Sequence, residues 1–295
     1  ATTIWGTSSS WTLTALPLFV WMGEILFRTR LSENLFAGLS PWMQKLPGGL
    51  IHVNVVGCAL FAAISGSSAA TVATVGKMSI PELRKRKYPE RILLGSLAGS
   101  GTLGLLIPPS IILIIYGVTV QESIAKLFIA GILPGIMIAL IFMSYVVIWS
   151  LINKKSMPKY VESFSFFEKI KKSKQLLPVI ILISAVIGSI YTGVATATEA
   201  ASLGVVGALI LSYFQGSLTV ESFKLSLLGA TKTSCMIAFI LAGSTFLSLA
   251  MGFTGLPRNL ALWIQNMELS PYVLIFVLMI FYIILGMFLD GISAV

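Results

Sequence analysis

The sequence has little of the side-chain chemistry that enzymes and metal centres use. It contains one histidine, two cysteines and 11 acidic residues among 295, and charged residues make up only 11% of the chain. Cys58 and Cys235 each lie in an apolar run without a spaced set of ligands, so neither a disulfide scaffold nor a metal site is expected. Soluble domains carry roughly 25% charged residues. A soluble enzyme is therefore a poor fit.

The single histidine also argues against a serine–histidine catalytic pair. His52 precedes Ser65, the first serine of the most serine-rich apolar segment, by 13 residues. In a helix that separation is about 20 Å, and a nucleophile needs its base within about 3 Å. We therefore expect a protein that is not an enzyme.

The abundant residues are apolar. Hydrophobic residues make up 56% of the chain, and the mean hydropathy is +0.94. Inside a lipid bilayer every backbone N–H and C=O group must form its hydrogen bond within the protein, which only helices and closed β-barrels achieve. The apolar runs of this chain have the length of helices. The sequence predicts an all-α polytopic membrane protein.

The net charge of +9 is concentrated in a few places. Sixteen of the 20 Lys and Arg residues lie in three inter-helical segments, residues 28–45, 77–91 and 154–174. An excess of Lys and Arg in short loops marks the cytoplasmic side of a membrane protein. These segments lack the interleaved aromatic residues of a nucleic-acid surface, so no nucleic-acid partner is expected. They indicate topology, with binding of lipid headgroups as an additional possibility.

Two apolar runs are interrupted by small polar residues and proline. The first carries ISGSSAAT at residues 64–71, and the second carries GTLGLLIPPS at residues 101–110. The pair Pro108-Pro109 removes two amide donors, which costs roughly 3 kcal/mol or more inside a helix. Unwound backbone at membrane depth is tolerated only where protein or a water-filled cavity covers it, and transporters bind solutes at such breaks. The two interruptions predict a buried ion or substrate site.

The apolar runs define a first repeat over residues 1–152. The arm after residue 68 is too short to cross the membrane and returns to basic sequence, which predicts a re-entrant hairpin. In chain order the expected parts are a span at 11–27, an interfacial segment at 31–46, the re-entrant hairpin at 48–82, a broken helix at 92–118 and a span at 127–152.

Residues 153–175 are expected to form a basic cytoplasmic loop, followed by a second repeat over residues 176–295 that ends at the tip of its own re-entrant hairpin. Shifting the first hairpin by 225 positions places Gly66 on Gly291 and Ser68 on Ser293. Because the second hairpin is approached from the side with few basic residues, we expect two inverted-topology repeats. The expected parts of the second repeat are spans at 176–191, 200–214 and 225–251, an interfacial segment at 256–267 and a hairpin arm at 271–287.

These motifs resemble one family in order and spacing across essentially the whole chain. They are LPLFVWMGE at 16–24, LPGGL at 46–50, ISGSSAAT at 64–71, GTLGLLIPPS at 101–110 with YG at 116–117, ATEA at 197–200 and GMFLD at 286–290. The chain resembles the large membrane (M) subunit of tripartite ATP-independent periplasmic (TRAP) transporters. The resemblance implies a sodium-driven elevator-type transporter of the bacterial inner membrane. This sequence departs from the family pattern because it ends at Val295, before a further broken helix with a second Pro-Pro pair.

The residues themselves indicate how sodium would be held. Sodium is a hard cation and prefers oxygen ligands, which unwound carbonyls and hydroxyls supply. The alternative is that these small residues only permit close helix packing. The candidate ligands of the first site are Ser65, Gly66, Ser67, Ser68, Gly101, Thr102 and Gly104.

A second, partial sodium site is expected at the tip of the second hairpin. Asp290 is the only aspartate of the chain and follows an apolar run, where an ionisable residue is costly and functional by default. Gly291 and Ser293 are its expected companions. Glu24 and Glu199 lie near the ends of spans, and a packing or interfacial role is at least as plausible for each as an ion site.

The resemblance also implies the remaining assignments. Substrate contacts are expected at Ser67, Pro108, Pro109 and Ser110, and Na⁺ is the coupling ion without an organic cofactor. Partners are a small membrane (Q) subunit, separate or fused, a periplasmic substrate-binding protein, the lipid bilayer and a small organic acid. The solute is sialic acid or another sugar acid, the favoured candidate, or a C4-dicarboxylate. The alternative function is a passive anion channel or pore on the same scaffold.

Overall fold

The computed structural model describes residues 11–29, 31–158, 164–289 and 291, and every regular element in those ranges is helical. The first half contains α1 Ala15–Phe27, α2 Leu31–Met43, α3 Ile51–Ser65, α4 Ser68–Lys85, α5 Glu90–Gly101, α6 Ile111–Thr119 and α7 Ile124–Ile152. The second half contains α8 Phe166–Ser173, α9 Leu177–Tyr191, α10 Ala197–Phe214, α11 Val220–Thr254, α12 Leu256–Gln265 and α13 Pro271–Phe288.

Five helical stretches in the described ranges are long and apolar enough to cross a membrane. They are Ile124–Ile152, Phe166–Tyr191, Ala197–Phe214, Val220–Thr254 and Pro271–Phe288. Shorter apolar helices cover Trp11–Phe27 and Ile51–Ser65. The prediction of an all-helical, multi-pass membrane protein is confirmed.

The core is organised around α3 and α1. Helix α3 packs against α1, α4, α5 and α7, while α1 also packs against α10 and α11. Phe61 of α3 and Phe128 of α7 are fully buried, and Phe19 of α1 meets Phe128 edge to face at 6.2 Å between ring centroids. Helix α1 therefore joins the hairpin of α3 and α4 to the later spans.

The three basic segments lie at one end of the fold. Trp42 Nε1 donates to Ser173 Oγ at 2.8 Å, which joins the first segment to the third. The Leu50 amide donates to Tyr88 Oη at 3.0 Å, which joins the start of the hairpin to the second segment. Parts of the three segments therefore lie close together, and their assignment to the cytoplasmic side stays a prediction.

The predicted basic loop at residues 153–175 contains regular structure. Residues Lys154–Ser156 and Lys174–Leu176 form 3-10 turns, and α8 lies between them. Ser165 and Glu168 form a capping box that starts α8, since the Ser165 amide donates to Glu168 Oε2 at 2.8 Å. The lysines of this segment led to the prediction of a loop, and they did not indicate this short amphipathic helix.

Candidate functional site

The first hairpin turns at Gly66 and Ser67, inside the predicted segment. Helix α3 ends because Gly66 adopts a left-handed φ of 57°, and its amide donates to the Ala62 carbonyl at 3.1 Å. Glycine adopts this conformation without steric cost. Ser67 is extended and caps α4 by accepting the Ala70 amide at 3.5 Å. The returning helix α4 runs to Lys85, three residues beyond the predicted end of the hairpin.

Three oxygens meet inside this turn, and we call them the oxygen cluster: Ser65 Oγ, the Ser67 carbonyl oxygen and Thr71 Oγ1. Thr71 Oγ1 donates to the Ser67 carbonyl at 2.7 Å, and the Ser65 and Thr71 hydroxyls are 2.9 Å apart. Ser65 Oγ also lies 3.3 Å from the Ser67 carbonyl. Thr71 is fully buried and Ser65 nearly so. The tip is therefore a compact, covered group of oxygen atoms without a carboxylate among them.

The broken helix is built from four successive pieces. Helix α5 ends at Gly101, a 3-10 turn covers Thr102–Leu105, the Pro108–Pro109 bond is cis, and α6 begins at Ile111. Ser110 Oγ donates to the Leu105 carbonyl at 2.6 Å. That hydrogen bond satisfies one carbonyl that the break releases, and Ser110 is fully buried.

The hairpin tip and the broken helix touch through glycines. A Cβ on Gly66 would lie 3.0 Å from both the Ile111 nitrogen and the Pro109 oxygen. A Cβ on Gly104 would lie 2.9 Å from the Ser67 carbonyl group. The Ile111 amide donates to the Gly66 carbonyl at 3.4 Å. Backbone therefore meets backbone at this junction, and a side chain at either glycine would separate the two segments.

Helix ends of both polarities meet at this junction. The C-terminus of α3 presents carbonyls with partial negative charge, which favours a cation. The N-termini of α4 and α6 present amides with partial positive charge, which favours an anion such as a carboxylate. Since the Ile111 amide at the start of α6 contacts Gly66, these ends are adjacent. The arrangement suits a cation and an anion bound side by side.

The structure brings most of the predicted first-site residues together. Gly101 joins them because its Cβ position is blocked by Val72 and lies 3.7 Å from the Ser68 carbonyl. The residues assembled at or beside the junction are Ser65, Gly66, Ser67, Ser68, Gly101, Gly104 and Pro109. Their assignment as ligands of sodium or substrate stays a prediction.

Thr102, Pro108 and Ser110 make contacts within the broken helix or with α7. The Thr102 side chain is exposed, and its hydroxyl donates to the Gly99 carbonyl at 2.7 Å, within its own helical turn. Pro108 packs near Gly131 of α7, 3.5 Å from its Cβ position. Ser110 uses its hydroxyl to close the break, as described above. Thr102 and Ser110 thus use their hydroxyls within the broken helix, and the assignment of all three residues as ligands of sodium or substrate stays a prediction.

The second hairpin is described only in part. Asp290 and Ser293, two of the three predicted second-site residues, lie outside the described residues. Gly291 is described, and its Cβ position is blocked by Ile112 of α6 and lies 3.4 Å from Leu105. Gly291 therefore packs against the same broken helix that the first tip contacts.

Sequence reasoning missed two polar features of the hairpin. Thr71 was not among the predicted ligands, although its place four residues after the capping Ser67 brings its hydroxyl to the Ser67 carbonyl. Asn54 of α3 is buried and donates to the Leu93 carbonyl and to Ser96 Oγ at 3.2 and 3.0 Å. Nothing in the sequence around Asn54 marked it, because its partners lie 39 and 42 residues later in α5.

Glu24 and Glu199, whose roles the sequence did not decide, both have hydrogen-bond or ion-pair partners. Glu24 of α1 forms an ion pair at 3.0 Å with Arg28, the residue that follows the end of α1. Glu199 accepts the Thr196 amide and hydroxyl, each at 2.8 Å, in the capping box of α10. Both residues therefore have local roles at helix ends.

Comparison with known proteins gives consistent matches. The chain is 33% identical over 285 residues to the C4-dicarboxylate TRAP transporter large permease protein DctM of Pseudomonas aeruginosa, covering 96% of this chain and 66% of that protein. It is 31% identical over 291 residues to the sialic acid TRAP transporter large permease protein SiaM of Vibrio cholerae, covering 98% and 67%. It is 30% identical over 290 residues to the isethionate TRAP transporter permease protein DctMQ of Oleidesulfovibrio alaskensis, covering 97% and 45%.

The chain thus spans about two-thirds of the large permease proteins it matches, and less than half of DctMQ. These relatives are transporter permeases, which agrees with the expectation that the chain is not an enzyme. The sequence model described as "Tripartite ATP-independent periplasmic transporter, DctM component" matches residues 1–295. The match covers the whole length of the chain and agrees with its all-helical membrane fold and interrupted helices. The chain therefore belongs to the DctM family, the large membrane component of TRAP transporters.

Proposed function

We propose that this chain forms part of a sodium-coupled secondary transporter that imports a carboxylated organic solute. The observation that carries the proposal is the junction of Gly66 and Gly104, where a buried oxygen cluster lies beside an interrupted helix. Transporters coordinate sodium with unwound carbonyls and helix C-termini, and direct helix N-termini at anionic groups of the solute. Both kinds of helix end are adjacent at this junction.

Sodium would bind at the first tip through hydroxyl and carbonyl oxygens. Ser65, Ser67 and Thr71 supply oxygens that already lie within 3.3 Å of one another. A second ion would bind near Asp290, whose negative charge offsets the cost of a cation at membrane depth. Two sodium ions entering with a monoanion carry one net positive charge inward, which gains about 2.3 kcal/mol per 100 mV of membrane potential.

The solute carboxylate would bind beside the N-termini of α4 and α6, near Ser67, Pro108, Pro109 and Ser110. The matched relatives are named for a C4-dicarboxylate, sialic acid and isethionate. Similarity to them therefore supports a small organic acid as the class. We keep sialic acid or another sugar acid, and a C4-dicarboxylate, as the specific candidates.

Transport would follow an elevator mechanism in the bacterial inner membrane, with two inverted repeats. Both hairpin tips contact the broken helix of residues 102–112, so they would move as one body. The amphipathic helices α2 and α12 would brace the bases of the hairpins. A periplasmic substrate-binding protein would deliver the solute, and a small membrane subunit, separate or fused as the name DctMQ indicates for that relative, would complete the complex.

Uptake into proteoliposomes tests this proposal. The permease, its small subunit and its binding protein are reconstituted, and labelled sialic acid and succinate are offered with and without an inward sodium gradient. We expect accumulation above the external concentration only with sodium. A passive anion channel, the alternative function, would equilibrate the solute without sodium and never accumulate it. Equal solute levels inside and outside under a sodium gradient would refute the transporter proposal.

A further inference from the structure

The helix α8 forms an interfacial surface outside the transport site. It follows the membrane-length helix α7 and continues through a 3-10 turn into α9, so that Phe166–Tyr191 is one long helical stretch. It lies at the basic end of the fold, next to α2. We call the surface of Phe166, Phe167, Ile170 and the lysines at 169, 171, 172 and 174 the α8 platform.

The α8 platform exposes aromatic side chains beside lysines. Phe166 and Phe167 are 69% and 76% exposed, and Ile170 is 40% exposed. At 100° per residue, these three side chains form one apolar arc of the helix, and Lys171 borders it. Lys171 and Lys174 are exposed. An apolar arc flanked by cations is the pattern of a helix that lies in the headgroup region of a bilayer.

Contacts with α2 fix the orientation of the platform. Trp42 Nε1 donates to Ser173 Oγ at 2.8 Å, and the Lys169 ammonium lies 5.3 Å from the centroid of the Trp42 ring. Phe166 meets the same ring edge to face at 6.3 Å between centroids. These contacts fix the rotation of α8 about its own axis, and with it the side on which Phe167 and Ile170 are exposed.

The charge of the platform is not neutralised within the described part of the chain. The ion pairs found there are Arg28–Glu24, Arg84–Glu90 and Arg86–Glu82, and none involves a lysine of the platform. Glu168, the carboxylate on α8, accepts the Ser165 amide instead. Residues 154–174 contain seven lysines and two glutamates, a net charge of +5. A cluster of this size at a cytoplasmic membrane surface attracts anionic lipid.

We propose that the α8 platform binds the phosphate headgroups of anionic phospholipids on the cytoplasmic leaflet. The phenylalanines enter the acyl boundary, and Lys171 and Lys174 contact the headgroup phosphates, whereas the Lys172 ammonium lies over the Phe164 ring, 3.9 Å from its centroid. Because Trp42 couples α8 to α2, and α2 leads into the first hairpin at Pro47, bound lipid holds the base of that hairpin at the interface.

Native mass spectrometry of the detergent-purified protein tests this proposal. Phosphatidylglycerol and phosphatidylcholine of equal chain length are titrated separately, and the bound lipids are counted. We expect phosphatidylglycerol to bind and phosphatidylcholine to bind far more weakly. In the double variant Lys171→Gln, Lys174→Gln, the affinity for phosphatidylglycerol should fall by roughly 30-fold, given about 1 kcal/mol for each lysine contact with an anionic surface.

Two further variants keep the outcome interpretable. The double Lys→Arg variant at the same positions should bind as the unmodified protein does, because the charge is kept. The variant Lys126→Gln, Lys232→Gln, Arg258→Gln removes three cations outside the platform and should also leave binding unchanged. Unchanged phosphatidylglycerol binding in the Lys→Gln platform variant would overturn the proposal. Complete displacement of the lipid by millimolar inorganic phosphate would also overturn it and identify a site for free phosphate.

Discussion

The two hairpin arms α3 and α13 are both apolar helices that lead to a glycine-containing turn, yet their surroundings differ. In α3, 12 of 15 residues are buried, whereas α13 has no buried residue. Helix α3 carries His52, Asn54 and Ser65 in its interior face, and α13 is apolar around its whole circumference. Polar side chains therefore occur where protein surrounds the helix and supplies a partner to at least one of their atoms, whereas His52 Nδ1 and Asn54 Oδ1 are buried without a partner among the described residues.

The partners in α3 illustrate this rule. His52 is fully buried, with Nε2 2.7 Å from the Pro47 carbonyl, and Asn54 bonds across to α5. A buried polar group without such a partner costs about 1–3 kcal/mol. Helix α13 avoids that cost by carrying almost only apolar side chains. The comparison separates a hairpin arm with buried polar side chains from one whose described surface is almost entirely apolar.

The largest expected effect is in cysteine labelling, because the two hairpins are expected to start from opposite sides of the membrane. In a background with Cys58 and Cys235 replaced, one single cysteine is introduced at Lys171, near the base of the first hairpin. Another is introduced at Arg258, which precedes the second hairpin. We expect complete labelling of position 171 from the cytoplasm only and of position 258 from the periplasm only, because basic segments stay inside. Labelling of both positions from the same side would break the inverted relation between the hairpins.

Glycine substitutions sharpen the contrast between the two arms. Gly104→Ala places a methyl group 2.9 Å from the Ser67 backbone, which forces the tip from the broken helix at a cost of about 1–3 kcal/mol. Gly95→Ala and Gly286→Ala meet no atom within 4 Å and should stabilise their helices by about 0.5–1 kcal/mol. Thermal unfolding and uptake are measured for all three. Equal losses at Gly104 and Gly286 would contradict the described junction.

A hydroxyl deletion tests the oxygen cluster itself. Thr71→Val keeps the shape of the side chain but removes the partner of Ser65 and Ser67, which should destabilise the protein by about 1–3 kcal/mol and raise the sodium concentration for half-maximal uptake. Thr231→Val is the matched control, because its exposed hydroxyl also donates to the carbonyl four residues earlier, at 2.8 Å. An unchanged sodium requirement in Thr71→Val would count against the cluster as an ion site.

The smallest effect is expected at the base of the first hairpin. Burial raises the pKa of the Tyr88 phenol above its usual range, although the Leu50 hydrogen bond and the Arg86 charge oppose this. Its neutral hydroxyl accepts the Leu50 amide. Tyr88→Phe should cost about 0.5–1.5 kcal/mol in unfolding free energy. Tyr272→Phe, at the base of the second arm and 85% exposed, should leave stability unchanged, and an equal loss in both variants would contradict the comparison.

Most of the membrane-length helices could be predicted from the sequence, because apolar runs long enough to cross a bilayer are visible in it directly. The interruptions at Gly66 and at Pro108-Pro109 were visible as small residues and missing amide donors. Helix α8 was not foreseen, since its lysines dominate the segment and its apolar arc consists of only three side chains. Periodicity over eight residues is too short a signal to separate a helix from a loop.

The candidate site was less predictable than the route. The residue types of the tip were foreseen, but the direction of each hydroxyl depends on the local turn. Thr102 uses its hydroxyl within its own helix, whereas Thr71, which the sequence reasoning passed over, points into the cluster. The close contacts at Gly104 depend on the three-dimensional approach of segments nearly 40 residues apart, which the sequence of either segment does not reveal.

The most direct test of the central claim, that the first tip binds sodium, is thermal unfolding of the purified protein in sodium chloride and in choline chloride at equal ionic strength. A ligand that binds only the folded state raises the unfolding temperature as its concentration increases. We predict a rise in sodium that saturates, is absent in choline and is reduced in Thr71→Val but not in Thr231→Val. The same unfolding temperature in both salts at every concentration would contradict the account.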